Sequence, residues 1–209
     1  AWYAFFRTRS LLFKESVLQK FYPFFHLIRK YYWDSRADFI HARWGYDRDD
    51  YAVLSDIIKH IKPEKILDIG CGSGRLFPLY INENIREVIG QDISPKALEI
   101  ADRYNHPNIK TVEKNILDLD YGPQYFDLII SNRTLQHVNK NEIKKIAGKI
   151  ADMGRFIYIN EMSDSDYRDN LYYMFKHDYE ALFKKHGFDI IKSGLFNKKT
   201  WILFGKRDE

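Results

Sequence analysis

The segment Asp68-Ile69-Gly70-Cys71-Gly72-Ser73-Gly74 sets three glycines at alternate positions just behind the apolar run Lys65-Ile66-Leu67. Glycines at this spacing let the backbone turn tightly and let a ligand approach with no Cβ in the way. A dinucleotide fingerprint needs its third glycine at position 75, where this chain has Arg75, so the spacing disfavours NAD and FAD. A second acid, Asp92, ends the run Val88-Ile89-Gly90-Gln91, 18 residues after Gly74, with Ile93 behind it. A carboxylate at the carboxyl end of a strand can accept both hydroxyls of a ribose. Ser94-Pro95 then reads as a helix N-cap followed by proline in the first turn, which gives Asp92 work other than capping.

These groups need a scaffold that brings strand ends together. From Lys65 onward, β-rich runs over 65–69, 87–91, 109–112, 126–131 and 155–160 alternate with helical patterns over 76–81, 95–105 and 141–151. That alternation predicts βαβ units on a mostly parallel sheet. A helix over 177–186 precedes two further strands, 188–194 and 200–205, joined by a link too short for a crossover helix. The expectation is an α/β, doubly wound, seven-stranded sheet whose last strand is antiparallel. An N-terminal helical cap over 1–62 precedes a core over 63–209.

The Gly-x-Gly-x-Gly turn after an acidic strand end resembles the first motif of class I S-adenosylmethionine (SAM)-dependent methyltransferases, and Asp92 resembles their ribose-binding acid. In the region around Glu113-Lys114-Asn115-Ile116, the family usually has an acid that contacts the adenine amine. The Asn115 amide oxygen can accept that hydrogen bond, and the Ile116 N–H can donate to the ring. Phe126-Asp127-Leu128-Ile129-Ile130-Ser131-Asn132 with Leu135-Gln136-His137-Val138 resembles the fourth motif and its loop. The resemblance, over about residues 60 to 205, implies SAM as cofactor and S-adenosylhomocysteine (SAH) as product. It places Asp68, Gly70, Cys71, Gly72, Gly74, Asp92, Ile93, Asn115, Ile116, Ser131 and Asn132 around the cofactor.

Transfer of a methyl group from a sulfonium asks the protein mainly to align and desolvate, which can supply ~7–11 kcal/mol. A hydroxyl acceptor also needs a base, typically a further ~10²–10⁴-fold. His137, behind the fourth strand, is the candidate, with loop bracing as its alternative role. His177 is the second candidate, in a segment where Tyr172, Tyr173 and Phe175 either line the acceptor pocket or pack the core. Asn132 is followed by Arg133-Thr134 and not by Pro-Pro and an aromatic residue, a signature of many enzymes that methylate exocyclic amines of bases or glutamine. No carboxylate cluster is convincing as a metal site, so none is assigned.

The net charge of +4 lies wholly in residues 1–62, with 11 Lys and Arg against 7 acids, while the rest balances at 22 against 22. A neutral catalytic part argues against nucleic acid and for a small-molecule or glycan acceptor. Residues 1–33 carry twelve aromatic residues and six basic ones at near-helical spacing. Such a cap can pack on the core, close as a lid through Trp33, Arg36, His41, Arg43 and Trp44, self-associate, or touch a membrane surface. Cys71 is the sole cysteine, and no run approaches the ~18 apolar residues of a membrane span, which fits a cytoplasmic setting. The leading expectation is O-methylation. Methylation of an amine or RNA, and a non-catalytic SAM-fold subunit, stand as alternatives.

Overall fold

The computed structural model describes residues 29–48, 50–162, 174–196 and 200–207. Most of the aromatic N-terminal segment therefore lies outside the described residues, as do Tyr172 and Tyr173. After a helical stretch over 29–34, the cap supplies α1 (Ala37–Trp44) and α2 (Tyr51–Ile61). The core follows as β1 (Lys65–Ile69), α3 (Phe77–Asn82), β2 (Glu87–Asp92), α4 (Pro95–Ala101), β3 (Ile109–Glu113), β4 (Phe126–Asn132), α5 (Ile143–Met153) and β5 (Gly154–Met162). It closes with α6 (Tyr179–Lys184), β6 (Phe188–Leu195) and β7 (Thr200–Arg207).

The seven strands lie in the order β3-β2-β1-β4-β5-β7-β6. β7 runs antiparallel to both β5 and β6, and the other pairings are parallel. The expected sheet and its closing hairpin are present. β5 extends two residues past the predicted end at 160, because β7 pairs with it from Phe156 as far as Met162.

The apolar runs of β1 and β4 are buried on both faces, as strands beneath two helical layers must be. Leu67, Ile69, Ile129, Ile157 and Ile159 pack one face against Ile143, Ile146, Ala147 and Ile150 of α5, an i, i+3, i+4, i+7 stripe. Ile66, Leu128, Ile130 and Tyr158 pack the other face against Leu54 and Ile58 of α2, Phe77 and Tyr80 of α3, and Leu98 of α4. These layers leave the carboxyl ends of β1, β2, β4 and β5 open on one edge, where ligands bind in such sheets.

α4 starts as its sequence predicts. The Ser94 hydroxyl accepts the Ala97 N–H at 3.1 Å, with Pro95 in the first turn. It ends at Ala101, earlier than the predicted 105, and a 3₁₀ turn, Asp102–Tyr104, completes it with Asn105 in the left-handed region.

Candidate functional site

A cavity of about 570 Å³ sits on the carboxyl edge of the sheet, between the strand ends and the cap. That volume lies within the usual range for small-molecule sites. Asp68, Gly70, Cys71, Gly72, Asp92, Ile93, Asn115, Ile116, Asn132 and His137 of the expected site all line it. The sheet gathers residues 64 positions apart by running β1, β2 and β4 side by side.

The glycine turn has a specific geometry. Gly70 and Gly72 have φ of +63° and +55°, a region that L side chains avoid. A Cβ on Gly70 would strike Thr134 Oγ1 at 2.2 Å, whereas one on Gly72 would meet nothing within 4 Å and would occupy cavity space. Asp92 braces the turn: its Oδ2 accepts the Gly72 N–H and its Oδ1 the Ser94 N–H, each at 2.9 Å. A carboxylate has about four acceptor positions, so two remain for a ligand. Burial holds the Asp92 carboxyl above its ordinary pKa despite these donors. Burial likewise pushes Asp68 up to about 7, although the Tyr80 hydroxyl donates to it at 3.1 Å. The Cys71 thiol is raised by burial and stays a protonated wall group. Asn115 Oδ1 accepts the Leu117 N–H at 3.1 Å, capping a 3₁₀ turn and keeping one lone pair for the cavity.

Three expected residues have other work, and each is a correction of position. Gly74 does not line the cavity; its φ of +76° and the approach of Phe77, 2.7 Å from a would-be Cβ, make it a packing glycine. Ser131 is fully buried, and its hydroxyl donates to Glu161 at 3.1 Å. His177 also lies off the cavity wall. Its Nε2–H donates to the Val138 carbonyl at 2.7 Å, between the rings of Phe175 and Tyr179, and burial lowers its pKa to about 4.

His137 faces the cavity with its ring 4.7 Å from that of Trp33. Its Nε2 lies 3.3 Å from Gln136 Nε2. The Met162 N–H donates to Gln136 Oε1 at 3.0 Å, which turns the Gln136 NH₂ toward the ring. With the Gln136 NH₂ donating, His137 Nε2 is the accepting nitrogen of this contact.

The sequence reasoning missed the groups that join elements. Asp50, at the start of α2, is buried and takes both prongs of Arg75, at 2.8 and 3.1 Å. The parallel register sets Asn132 beside Asn160, and both amides donate to Asp50, Asn160 at 3.0 Å. Burial alone would raise the Asp50 carboxyl; the Arg75 pair and the two amides overcome it and leave its pKa lowered. Asn160 lines the cavity, and its Oδ1 has no partner among the described residues. Glu161 is buried beside it and accepts the N–H groups of Thr134, Leu135 and Gln136 at 3.1, 2.9 and 3.4 Å. Burial pushes it up to about 7. The polar pair Asn160-Glu161 near the end of an apolar strand marks that position as unusual but names no partner, and nothing local marks Asp50.

Residues 33–44 of the N-terminal segment lie against the cavity and the glycine turn. Trp33, Arg36 and Trp44 line the cavity, His41 Nδ1 lies 2.9 Å from Ser73 Oγ, and Arg43 sits over the Trp44 ring. Asp34 accepts the Ser94 hydroxyl at 2.6 Å, holding the cap on α4. No group of three or more His, Cys, Asp or Glu among the described residues is placed to hold a metal ion. No described helix is long and apolar enough to cross a membrane.

A doubly wound sheet in this strand order, with a glycine turn and a strand-end acid facing one cavity, defines a Rossmann-like, class I methyltransferase fold. Residues 66–155 match the family described as "Methyltransferase domain", and the chain carries a methyltransferase domain of the SAM-dependent type. Over 93 residues it is 40% identical to the release factor glutamine methyltransferase of Flavobacterium psychrophilum, covering 42% of this chain and 33% of that protein. It is 30% identical over 154 residues to an uncharacterized protein of Methanocaldococcus jannaschii, covering 68% and 64%. Its fold is similar to the SAM-bound magnesium protoporphyrin IX methyltransferase of Synechocystis PCC 6803, with TM-score 0.68, 18% identity, and coverage of 87% and 96%. The chain spans less than half the length of most of the curated relatives it matches. SAM is the cofactor of this domain type. The open space at Gly72, the two spare acceptor positions of Asp92 and the cavity volume all fit it.

Proposed function

We propose that this chain transfers the methyl group of SAM to a hydroxyl of a small molecule or glycan. The observation that carries the reading is the pairing of Gly72 with Asp92 in the cavity wall. Gly72 leaves room for the amino-acid part of the cofactor, Asp92 takes the ribose hydroxyls, and Asn115 with the Ile116 N–H faces the adenine. Asp68 at the foot of the turn supplies a carboxylate for the cofactor's ammonium group. Bound there, SAM supplies a methyl already activated by the sulfonium charge, so the protein's task is alignment and exclusion of water.

The chain's own residues divide that task. Thr134 presses on Gly70, and Glu161 grips three successive N–H groups of the loop that carries Thr134. This fixes His137 over the cavity, where Nε2 serves as the base by giving up its long 3.3 Å contact with the Gln136 amide and taking the acceptor's hydroxyl proton in its place. Trp33 covers the His137 ring and keeps water from it. Small-molecule acceptors are consistent with solved relatives in fold: one, from Burkholderia thailandensis, was crystallised with 1,6-didemethyltoxoflavin and SAH.

The test is titration calorimetry of SAM and SAH with the wild type and Asp92→Ala, then a screen with methyl-labelled SAM. Micromolar binding that Asp92→Ala weakens at least tenfold is expected, with label entering a hydroxylated metabolite or sugar pool. Absence of binding, or label entering RNA alone, rejects the reading.

A further inference from the structure

The cavity has two unlike halves. The half over β1, β2 and β3 holds Gly72, Asp92, Asn115 and Ile116, which the proposed function assigns to the methyl donor. At the ends of β4 and β5 the wall carries Asn132, Arg133, His137, Asn160 and Met162, and the apolar side chains of Trp33, Met174 and Phe196 line the same cavity.

Four arginines line this cavity, and three are committed. Arg75 is paired with Asp50, and Arg29 lies 3.7 Å from Glu142. Arg36 stands over the rings of Tyr32 and Phe39, at 5.4 and 5.6 Å. The Arg133 guanidinium has no ion pair, hydrogen bond or ring contact among the described residues. The four acids of the wall are engaged elsewhere: Asp47 has a partner of its own, Asp50 is held by Arg75 and two amides, Asp68 by Tyr80, and Asp92 by backbone N–H groups.

The backbone of Arg133 is fixed. It has φ of +57°, in the left-handed region, and its N–H donates to the Asn160 carbonyl at 2.8 Å. Five non-glycine residues adopt positive φ among the described residues, and Arg133 is the one of them that lines this cavity. Glycine would take this turn at lower strain, and strained backbone of this kind gathers at ligand sites. An exposed arginine elsewhere is an ordinary solvated charge. Here a planar, five-donor fork stands on a rigid turn in the wall of a cavity that also carries Trp33, Met162, Met174 and Phe196, an arrangement suited to binding a carboxylate or phosphate on two donors.

We propose that Arg133 binds an anionic group, carboxylate or phosphate, on the methyl acceptor, and that the acceptor's apolar body rests against Trp33, Met162, Met174 and Phe196. The acceptor class thus narrows to amphipathic organic acids. This inference rests on the proposed function, because it takes the other half of the cavity for the donor.

Three probes on the same ring system separate charge from apolar contact: 2-naphthoate, 2-naphthyl phosphate and the neutral 2-naphthamide. Each is titrated into SAH-saturated wild type, Arg133→Ala and Arg133→Gly, with SAH titrated separately. In the wild type at least one anion should bind more tightly than the amide. Both variants should lose about tenfold or more for that anion, while amide and SAH affinities stay within about twofold. Whichever anion loses more identifies carboxylate or phosphate. Arg133→Gly also relieves the left-handed strain, so it should melt no lower than the wild type and excludes misfolding as the cause. The proposal is overturned if neither anion outbinds the amide, if anion affinity survives both variants, or if SAH affinity falls in place of it. Failure of SAH to bind the wild type would instead sink the donor assignment.

Discussion

Arg75 grips Asp50 with both prongs of its guanidinium, Nη1 to Oδ1 at 2.8 Å and Nη2 to Oδ2 at 3.1 Å, tying the start of α2 to the residue that follows the glycine turn. Asp50 is 4% exposed, and its second oxygen also receives the amides of Asn132 and Asn160. Removing the acid alone strands a guanidinium and two amides. Asp50→Ala should therefore cost ~3 kcal/mol of stability in urea unfolding, at the low end for a broken buried pair because Arg75 keeps some solvent contact. Asp50→Leu combined with Arg75→Met should recover most of that loss. Equal stability of Asp50→Ala and the wild type would show that the pair does not join cap to core.

Gly70 and Gly72 share a conformation but differ in surroundings, so the same substitution should separate fold from binding. Alanine at Gly72 meets open cavity and costs only the left-handed penalty, ~1–2 kcal/mol. It should weaken SAH binding at least tenfold by filling the cofactor's space. Alanine at Gly70 carries the same penalty plus overlap with Thr134, a further ~1–3 kcal/mol. Melting temperatures with and without SAH report both effects. A Gly72→Ala protein that SAH stabilises as well as the wild type would contradict the cofactor placement.

The sheet and the residues gathered at its carboxyl edge were legible because their signals are local. Alternating apolar runs specify strands, three glycines specify a turn, and Ser94-Pro95 specifies a helix start, all within a few residues. Asp92 could be read because strand direction alone aims it at the ligand edge. Asp50, Asn160 and Glu161 could not, since their roles exist only after α2 packs on the sheet and β5 pairs beside β4. Arg75 entered the sequence argument only as the residue that replaces a third glycine, with no local feature to announce its partner. Ser131 and His177 misled for the same reason. Each sits at the expected place along the chain, but Ser131 turns toward Glu161 and His177 toward Val138.

His137 and His177 should be found as opposite neutral tautomers. Gln136 donates to His137 Nε2, leaving the proton on Nδ1, whereas His177 keeps its proton on Nε2 to donate to Val138. Nitrogen-15 NMR of the two rings reads this directly. If His137 is the base, His137→Ala should lower kcat by ~10²–10⁴-fold on the acceptor that the labelled screen yields, with SAH affinity unchanged. His177→Phe should leave kcat near the wild-type value. A His137→Ala enzyme of full activity would confine this ring to bracing the loop.

The pH dependence of stability tests the buried carboxyls against the buried imidazole, because the two kinds pull in opposite directions. Asp68 and Glu161 are pushed up to about 7 from 3.8 and 4.5, so between those limits the folded chain holds protons that the unfolded chain has lost. Each makes stability fall as pH rises through that window. His177 is lowered to about 4 from 6.5, so the unfolded chain takes a proton that the folded chain refuses, and stability falls as pH drops through that window. Near pH 5.5 the two carboxyls outnumber the one imidazole by a single proton. These three groups together should then reduce stability by about 1 kcal/mol for each unit of rising pH. Glu161→Gln removes one carboxyl while keeping an acceptor oxygen for the Leu135 N–H, and should bring this contribution near zero. His177→Phe removes the opposing group and should about double it. Urea midpoints at pH 5 and pH 6 for the three proteins give the slopes by difference, cancelling every group they share. Identical slopes in all three would mean that Glu161 and His177 titrate as they do in the unfolded chain, and that the loop carrying His137 is not held by a protonated carboxyl.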